Sequence, residues 1–225
     1  MDSITHIVFG AVTGEVIAGK KIGKQAMLWG AIANSLPDID VVTDFWLHEP
    51  DSLIAHRGIT HSFFFCILTA IALSFLMLKL FASKPMSFWD WLMLFLPGMI
   101  FHISLDAMTT YGTGLFEPFS HQRISLNNIF VADPFFTISL LIASIALLIL
   151  KKDSAKRMRW ALFGIILSTT YLVYTFYNKF NVDNKFAEAF RAKQIKTDQY
   201  FATPTPLNNW LWYGLGRKDD SLYIG

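Results

Sequence analysis

Charge is what this sequence has least of. Asp, Glu, Lys and Arg make up only 16% of its 225 residues, against about 25% in an average soluble domain. Hydrophobic residues account for 53%, and the mean hydropathy is +0.41. That balance excludes a disordered chain and argues against a soluble α/β enzyme. The net charge of +2 is too small to attract nucleic acid. The single cysteine, Cys66, allows no internal disulfide and says nothing of redox compartment. Met1-Asp2-Ser3-Ile4 lacks the basic start of a cleavable signal, so the N-terminus reads as mature protein.

The charge deficit is concentrated. Ser62–Leu78, Trp91–Leu105, Pro134–Leu150 and Trp160–Asn178 each run without Asp, Glu, Lys or Arg. Roughly 20 apolar residues span a bilayer, so the expected fold is an all-α, polytopic helical membrane bundle. Two shorter apolar stretches, Ile4–Gly19 and Gln25–Leu36, predict a helical hairpin packed through Gly10, Ala11, Gly14 and Ala18. Asp38–Gly58 reads as a polar loop, Thr60 or Ser62 as a helix cap, and Gly112 as a left-handed helix end. Residues 1–180 would form the membrane domain. Residues 181–225 would form an outer-face tail. Its amphipathic helix, Asp183–Tyr200 with Phe186 and Phe190, would lie on the leaflet, and Trp210, Trp212 and Tyr213 would anchor at the interface. The end at Ser221–Gly225 has no finishing element and fits a shortened chain.

Basic turns set the topology, because short loops rich in Lys and Arg stay in the cytoplasm. Lys151–Arg159 is the strongest anchor, and threading from it puts Lys84 and Lys20–Lys24 on the same side. The opposite, extracytoplasmic face then receives all six histidines, His6, His48, His56, His61, His102 and His121. Asp38, Asp40, Asp44, Asp51, Asp106 and Asp133 fall there too.

Spacing sharpens the grouping. His102 and Asp106 are an i, i+4 pair on one helix face, in an apolar stretch where ionisable groups are costly and functional. Imidazole and carboxylate suit Zn²⁺ or a similar divalent ion; a hydrogen bond tying two helices is the plainer alternative. Asp38 and Asp40 follow Pro37 closely enough to bridge or flank two ions, or to be a solvated loop. His56-Arg57-Gly58-Ile59-Thr60-His61-Ser62 sets two imidazoles and a guanidinium at a helix entry, where phosphate or carboxylate is readily bound. Headgroup anchoring by Arg57 is its plainer reading.

These stretches resemble the membrane-bound metal-dependent hydrolases, a bacterial family that includes inner-membrane proteins regulated by the LexA repressor. The likeness rests on Thr5-His6, on Gly30 before Pro37-Asp38-Ile39-Asp40, and on His56–Ser62. It continues through His102-Ile103-Ser104-Leu105-Asp106, Thr109–Gly112 and Asp133-Pro134, covering about residues 1–180. It implies a helical metal-dependent hydrolase of the inner membrane. A weaker similarity to zinc-dependent phospholipase C implies His6, Asp40, His61, His102 and Asp106 as metal ligands, with Asp38 bridging or just behind them. The N-terminal Trp ligand of that enzyme is replaced by Met1.

The expected function is hydrolysis of a phosphoester in a membrane lipid or lipid-linked substrate at the extracytoplasmic face. One or two ions, Zn²⁺ or alternatively Mn²⁺, would be held by His6, Asp38, Asp40, His61, His102 and Asp106. Arg57, with Arg123, would neutralise phosphate charge, and His56 or Asp133 would serve as general base or acid. The competing readings are a proton- or metal-coupled transporter and a non-catalytic protein braced by its metal.

Overall fold

A computed structural model describes residues 1–45, 56–194, 199–218 and 221–225. His48 and Asp51 lie outside the described residues, as does the side chain of Asp44. Six α-helices alternate in direction: α1 (Ser3–Ile22), α2 (Gln25–Ser35), α3 (Phe63–Leu80), α4 (Phe88–Ala107), α5 (Pro134–Ile149) and α6 (Lys156–Ala192). Of these, α3, α4 and α6 are long and apolar enough to cross a membrane. At 16 residues, α5 is shorter.

Local chemistry starts the helices. Asp2 caps α1, Ser62 caps α3, and Ser87 with Asp90 forms a capping box on α4. Asp133 caps α5, whose first residue, Pro134, lacks an N–H that the helix would not have used. Of the two expected caps, Ser62 performs the task and Thr60 turns to Asp40 instead. Gly112 does have a left-handed φ of 76°, but it sits in the turn beyond α4, whose end at Met108 is right-handed.

The lateral surface is inside-out relative to a soluble bundle. On α3 the buried side chains are Cys66, Ala70, Ser74 and Met77, while Phe64, Leu68, Phe75 and Leu80 point outward. Lipid tails are as apolar as leucine, so helices gain from close backbone approach instead. The hairpin of α1 and α2 uses this device. A Cβ on Gly30 would strike the Gly10 carbonyl oxygen, and one on Gly14 would strike that of Ala26. Contact this close sets His6 of α1 beside Asn34 of α2. Gly98 of α4 lies close on Ala33, where an added Cβ would come within 2.9 Å of the Ala33 Cβ and 3.5 Å of the Asn34 backbone amide.

Three expectations change. The loop after Pro37 is a 3₁₀ helix, Pro37–Phe45. The fold is mostly helical and not strictly all-α, because β1 (Gln199–Pro204), β2 (Trp212–Lys218) and β3 (Ser221–Ile224) form an antiparallel sheet in that order. The helix expected over Asp183–Tyr200 is instead the end of α6, which runs 37 residues, about 55 Å. A change from apolar to charged residues at Lys179 changes the solvent the helix meets, and nothing there breaks it. Phe186 and Phe190 pack on Tyr200, with Phe186 also against Gly214, so that face meets the sheet. Asn209 ties the tail down through Asn128 O at 2.7 Å and the Asn178 amide at 3.0 Å, while Trp210 meets Phe135 edge-on.

At one pole, the basic turns after α1, α3 and α5 come together around one cavity. His6 lies 14 residues earlier on α1 than Lys20, about 21 Å along the axis, so the histidines gather at the other pole. Replacing Gly30 with Val is expected to cost about 1–3 kcal/mol or more, read as a lower thermal unfolding midpoint of the purified protein in detergent.

Candidate metal centre

Three elements bring four donors to the pole opposite the basic turns. The 3₁₀ helix after α2 supplies Asp38, a short 3₁₀ turn (Ile59–His61) supplies His61, and the last turns of α4 supply His102 and Asp106. His61, His102 and Asp106 are buried, and Asp38 is partly open. His61 Nε2 lies 3.1 Å from His102 Nε2, 3.2 Å from Asp106 Oδ2 and 3.4 Å from Asp38 Oδ1. His102 Nε2 lies 3.3 Å from Asp38 Oδ1 and 3.4 Å from Asp106 Oδ2. Metal bonds of about 2.0 Å in a tetrahedron set donors about 3.3 Å apart. The residues present therefore fit a tetrahedral divalent ion.

Proton placement supports the same fit. His102 Nδ1 faces the carbonyl oxygen of Asn34, which can only accept, so Nδ1 carries the proton. His61 Nδ1 faces Asp40 Oδ2 at 3.1 Å and Thr60 Oγ1 at 3.1 Å. Thr60 already donates to Asp40 at 2.7 Å, so this Nδ1 is protonated too. In the neutral rings both Nε2 atoms are then lone pairs, facing each other and two carboxylates. Protonating both would instead oppose two N–H groups at 3.1 Å. Asp106 Oδ2 is buried and accepts no hydrogen bond, a costly state that a cation resolves.

The two acids after Pro37 divide their work around His61. Asp38 faces Nε2 and Asp40 backs Nδ1, fixing the ring's tautomer and tilt. Asp40 also binds His56 Nδ1 at 2.9 Å and the Arg57 amide at 3.0 Å. Burial pushes the Asp40 carboxyl up, but the hydrogen bonds from His56 and His61 outweigh it and hold it below the usual range. Asp38, Asp40 and His56 form a second, smaller donor group.

Arg57 has a φ of 63°, an uncommon left-handed conformation for a non-glycine residue. Its amide on Asp40 and its carbonyl under Gly114 N at 2.9 Å hold it there. The guanidinium Nη1 reaches Thr109 Oγ1 at 2.7 Å. Nε, 3.4 Å from Asp106 Oδ2, makes no hydrogen bond although buried.

His6 stacks on His102 with ring centroids 3.7 Å apart, and its Nε2 lies 3.3 Å from Asp106 Oδ1. The Met1 α-amino group contacts that same oxygen. Asp133 is engaged elsewhere, accepting from Phe135 N, Phe136 N and the Tyr171 hydroxyl. Arg123 reaches the carbonyls of His56 and Gly112, and His121 is solvent-exposed with Glu117 at 2.9 Å. Sequence reasoning missed Asn34, whose backbone holds His102 and whose side chain meets His6 at 3.1 Å. Its signal was a lone amide within an apolar helix.

Comparison with known proteins assigns the family. The chain matches the YdjM inner membrane protein family over residues 1–182 and belongs to it. It is 31% identical over 151 residues to the uncharacterized protein YfhP of Bacillus subtilis (strain 168), covering 64% of this chain and 45% of YfhP. It is 29% identical over 122 residues to inner membrane protein YbcI of Escherichia coli (strain K12), covering 53% of this chain and 69% of YbcI. The match thus spans less than half of YfhP. No solved structure matches. Neither relative's name carries an activity.

Removing Asp40 deletes the support behind His61 but none of the four converging donors. Asp40→Ala is expected to weaken Zn²⁺ binding about 10–100-fold without abolishing it, as read by competition with a chromogenic chelator.

Proposed function

We propose that this member of the YdjM inner membrane protein family is a metal-dependent hydrolase cleaving a phosphoester of a lipid or lipid-linked substrate. The observation that supports it most is the tetrahedral spacing of His61, His102, Asp38 and Asp106 with the Arg57 guanidinium at one corner. Two imidazoles and two carboxylates suit Zn²⁺, with Mn²⁺ the alternative. For catalysis three of these donors would hold the ion and Asp38, the partly open one, would yield its corner, so that the ion would supply a water acidic enough to ionise near neutral pH.

The chain's own residues do the rest. Arg57 Nε, a buried donor without an acceptor, takes a phosphoryl oxygen and meets the charge that grows on it. Asp40 holds the Nδ1 proton of His56, leaving Nε2 to accept or return a proton; the side chain is 31% exposed and so within reach of solvent. Asp133 has no part in this scheme, since two amides and Tyr171 occupy it. Asp38 belongs to both donor groups, as a carboxylate shared by two ions does. A second ion would convert His56 and Asp40 into ligands, with His6 steadying Asp106. Residues 1–180 would carry this chemistry and residues 181–225 would cover its rim.

Depth supports the proposed substrate class. A site at the ends of membrane-crossing helices meets lipid headgroups at high local concentration. The basic turns at the opposite pole support an extracytoplasmic site, by the positive-inside rule. In intact cells, an impermeant maleimide is expected to label a cysteine at Ser120, whereas one at Ser83 reacts only after lysis. The reverse pattern would place the site in the cytoplasm.

Metal analysis and turnover test the chemistry together. Wild type should hold stoichiometric metal, and His61→Ala and His102→Ala/Asp106→Ala should lose it while remaining folded. Arg57→Ala should keep the metal and lower kcat on a phosphodiester lipid about 10²–10³-fold. Stoichiometric metal with no turnover on any phosphoester would make the ion a structural brace.

A further inference from the structure

The basic pole holds a feature that the metal centre does not use. A cavity of about 870 Å³ opens between the turns after α1, α3 and α5. Lys20, Lys21, Lys84, Lys152 and Arg157 line it, against Glu15 and Asp153. Arg157 is already neutralised: its guanidinium binds both Glu15 oxygens at 2.7 and 2.6 Å and the Leu147 carbonyl at 2.6 Å. This buried pair forms a rigid floor. Lys21 is taken by Asp90 at 2.6 Å. Among the described residues, no carboxylate pairs with Lys20, Lys84 or Lys152. Three ammonium groups from three separate turns thus face one exposed Asp153.

The convergence is built by backbone. Gly23, at a φ of 60°, brings the α1–α2 turn against Lys152, whose Cβ would lie 3.6 Å from a Cβ added there. At the start of α6 Ala155 has no capping side chain and Ser154 Oγ accepts from the Lys156 amide alone, at 3.3 Å, so the positive end of a long helix opens on the same cavity. Scattered lysines would satisfy the positive-inside rule equally well. Gathering them around one cavity costs repulsion unless an anion occupies it.

We propose that this cavity is an anion site for a phosphate group, distinct from the metal centre. The phosphate comes from an anionic phospholipid headgroup of the adjacent leaflet or from free phosphate. Basic pockets between helix ends are matched to the first source by position, and to both by chemistry.

The test uses the full-length, delipidated protein in neutral detergent, with binding read by calorimetry. The probes are dihexanoyl phosphatidylglycerol, dihexanoyl phosphatidylcholine and inorganic phosphate. Wild type is expected to bind the phosphatidylglycerol, and Lys20→Gln/Lys84→Gln/Lys152→Gln is expected to weaken it at least tenfold. A surface control, Lys185→Gln/Arg191→Gln/Lys193→Gln, should bind as wild type does. A size-exclusion profile and a thermal unfolding midpoint equal to wild type certify that the cavity variant is folded. Phosphatidylglycerol binding much tighter than inorganic phosphate identifies the lipid source, and equal affinities identify free phosphate. No anion binding by wild type, equal loss in the surface control, or undiminished binding by the folded cavity variant would overturn the proposal.

Discussion

Two imidazole lone pairs and two carboxylate oxygens, 3.1–3.4 Å apart across the five contacts of His61 and His102, cannot stay together in a buried place without positive charge. Much of the surrounding structure serves that arrangement. Asn34 O and Asp40 fix the Nδ1 protons, so the two rings turn their unprotonated nitrogens inward. The glycine contacts between α1 and α2, and between α2 and α4, let Asn34 come close enough to hold His102 and touch His6. Arg57 accepts an unfavourable backbone conformation to lay its guanidinium beside Asp106.

The bilayer explains why the site is at a pole. Inside the hydrocarbon, charged groups are costly, and the middles of α3 and α5 contain none. The helix ends can carry polar groups because they meet headgroups and water. One end collects imidazoles and carboxylates, the other ammonium groups, and the Glu15–Arg157 pair is the one buried ion pair tying the basic end together among the described residues. Electrostatic asymmetry of this kind gives the two poles opposite character.

Much of the helical plan was legible because it depends on solvent. Charge-free runs marked the apolar helices, and small residues marked the close hairpin contact. The tail was less legible for a physical reason. Helix continuation past Lys179 depends on the absence of a breaker, while the strands owe their place to Phe186, Trp210 and Asn209 meeting partners far away in sequence. The 3₁₀ turn after Pro37 was hidden in the same way, since its form is seen only where Asp38 and Asp40 grip opposite nitrogens of His61.

By itself the sequence determined that the chain is a mostly helical membrane protein with His6, His61, His102, Asp38 and Asp106 set apart from its basic turns. Those properties follow from composition and from the i, i+4 geometry of single helices. Tertiary structure alone decided which donors share one point, that Asp40 stands behind His61, that the Tyr171 hydroxyl holds Asp133, and that Asn34 belongs to the centre. Each of these is a contact between elements distant in sequence, and pattern within one element carries no information about which partner it will meet.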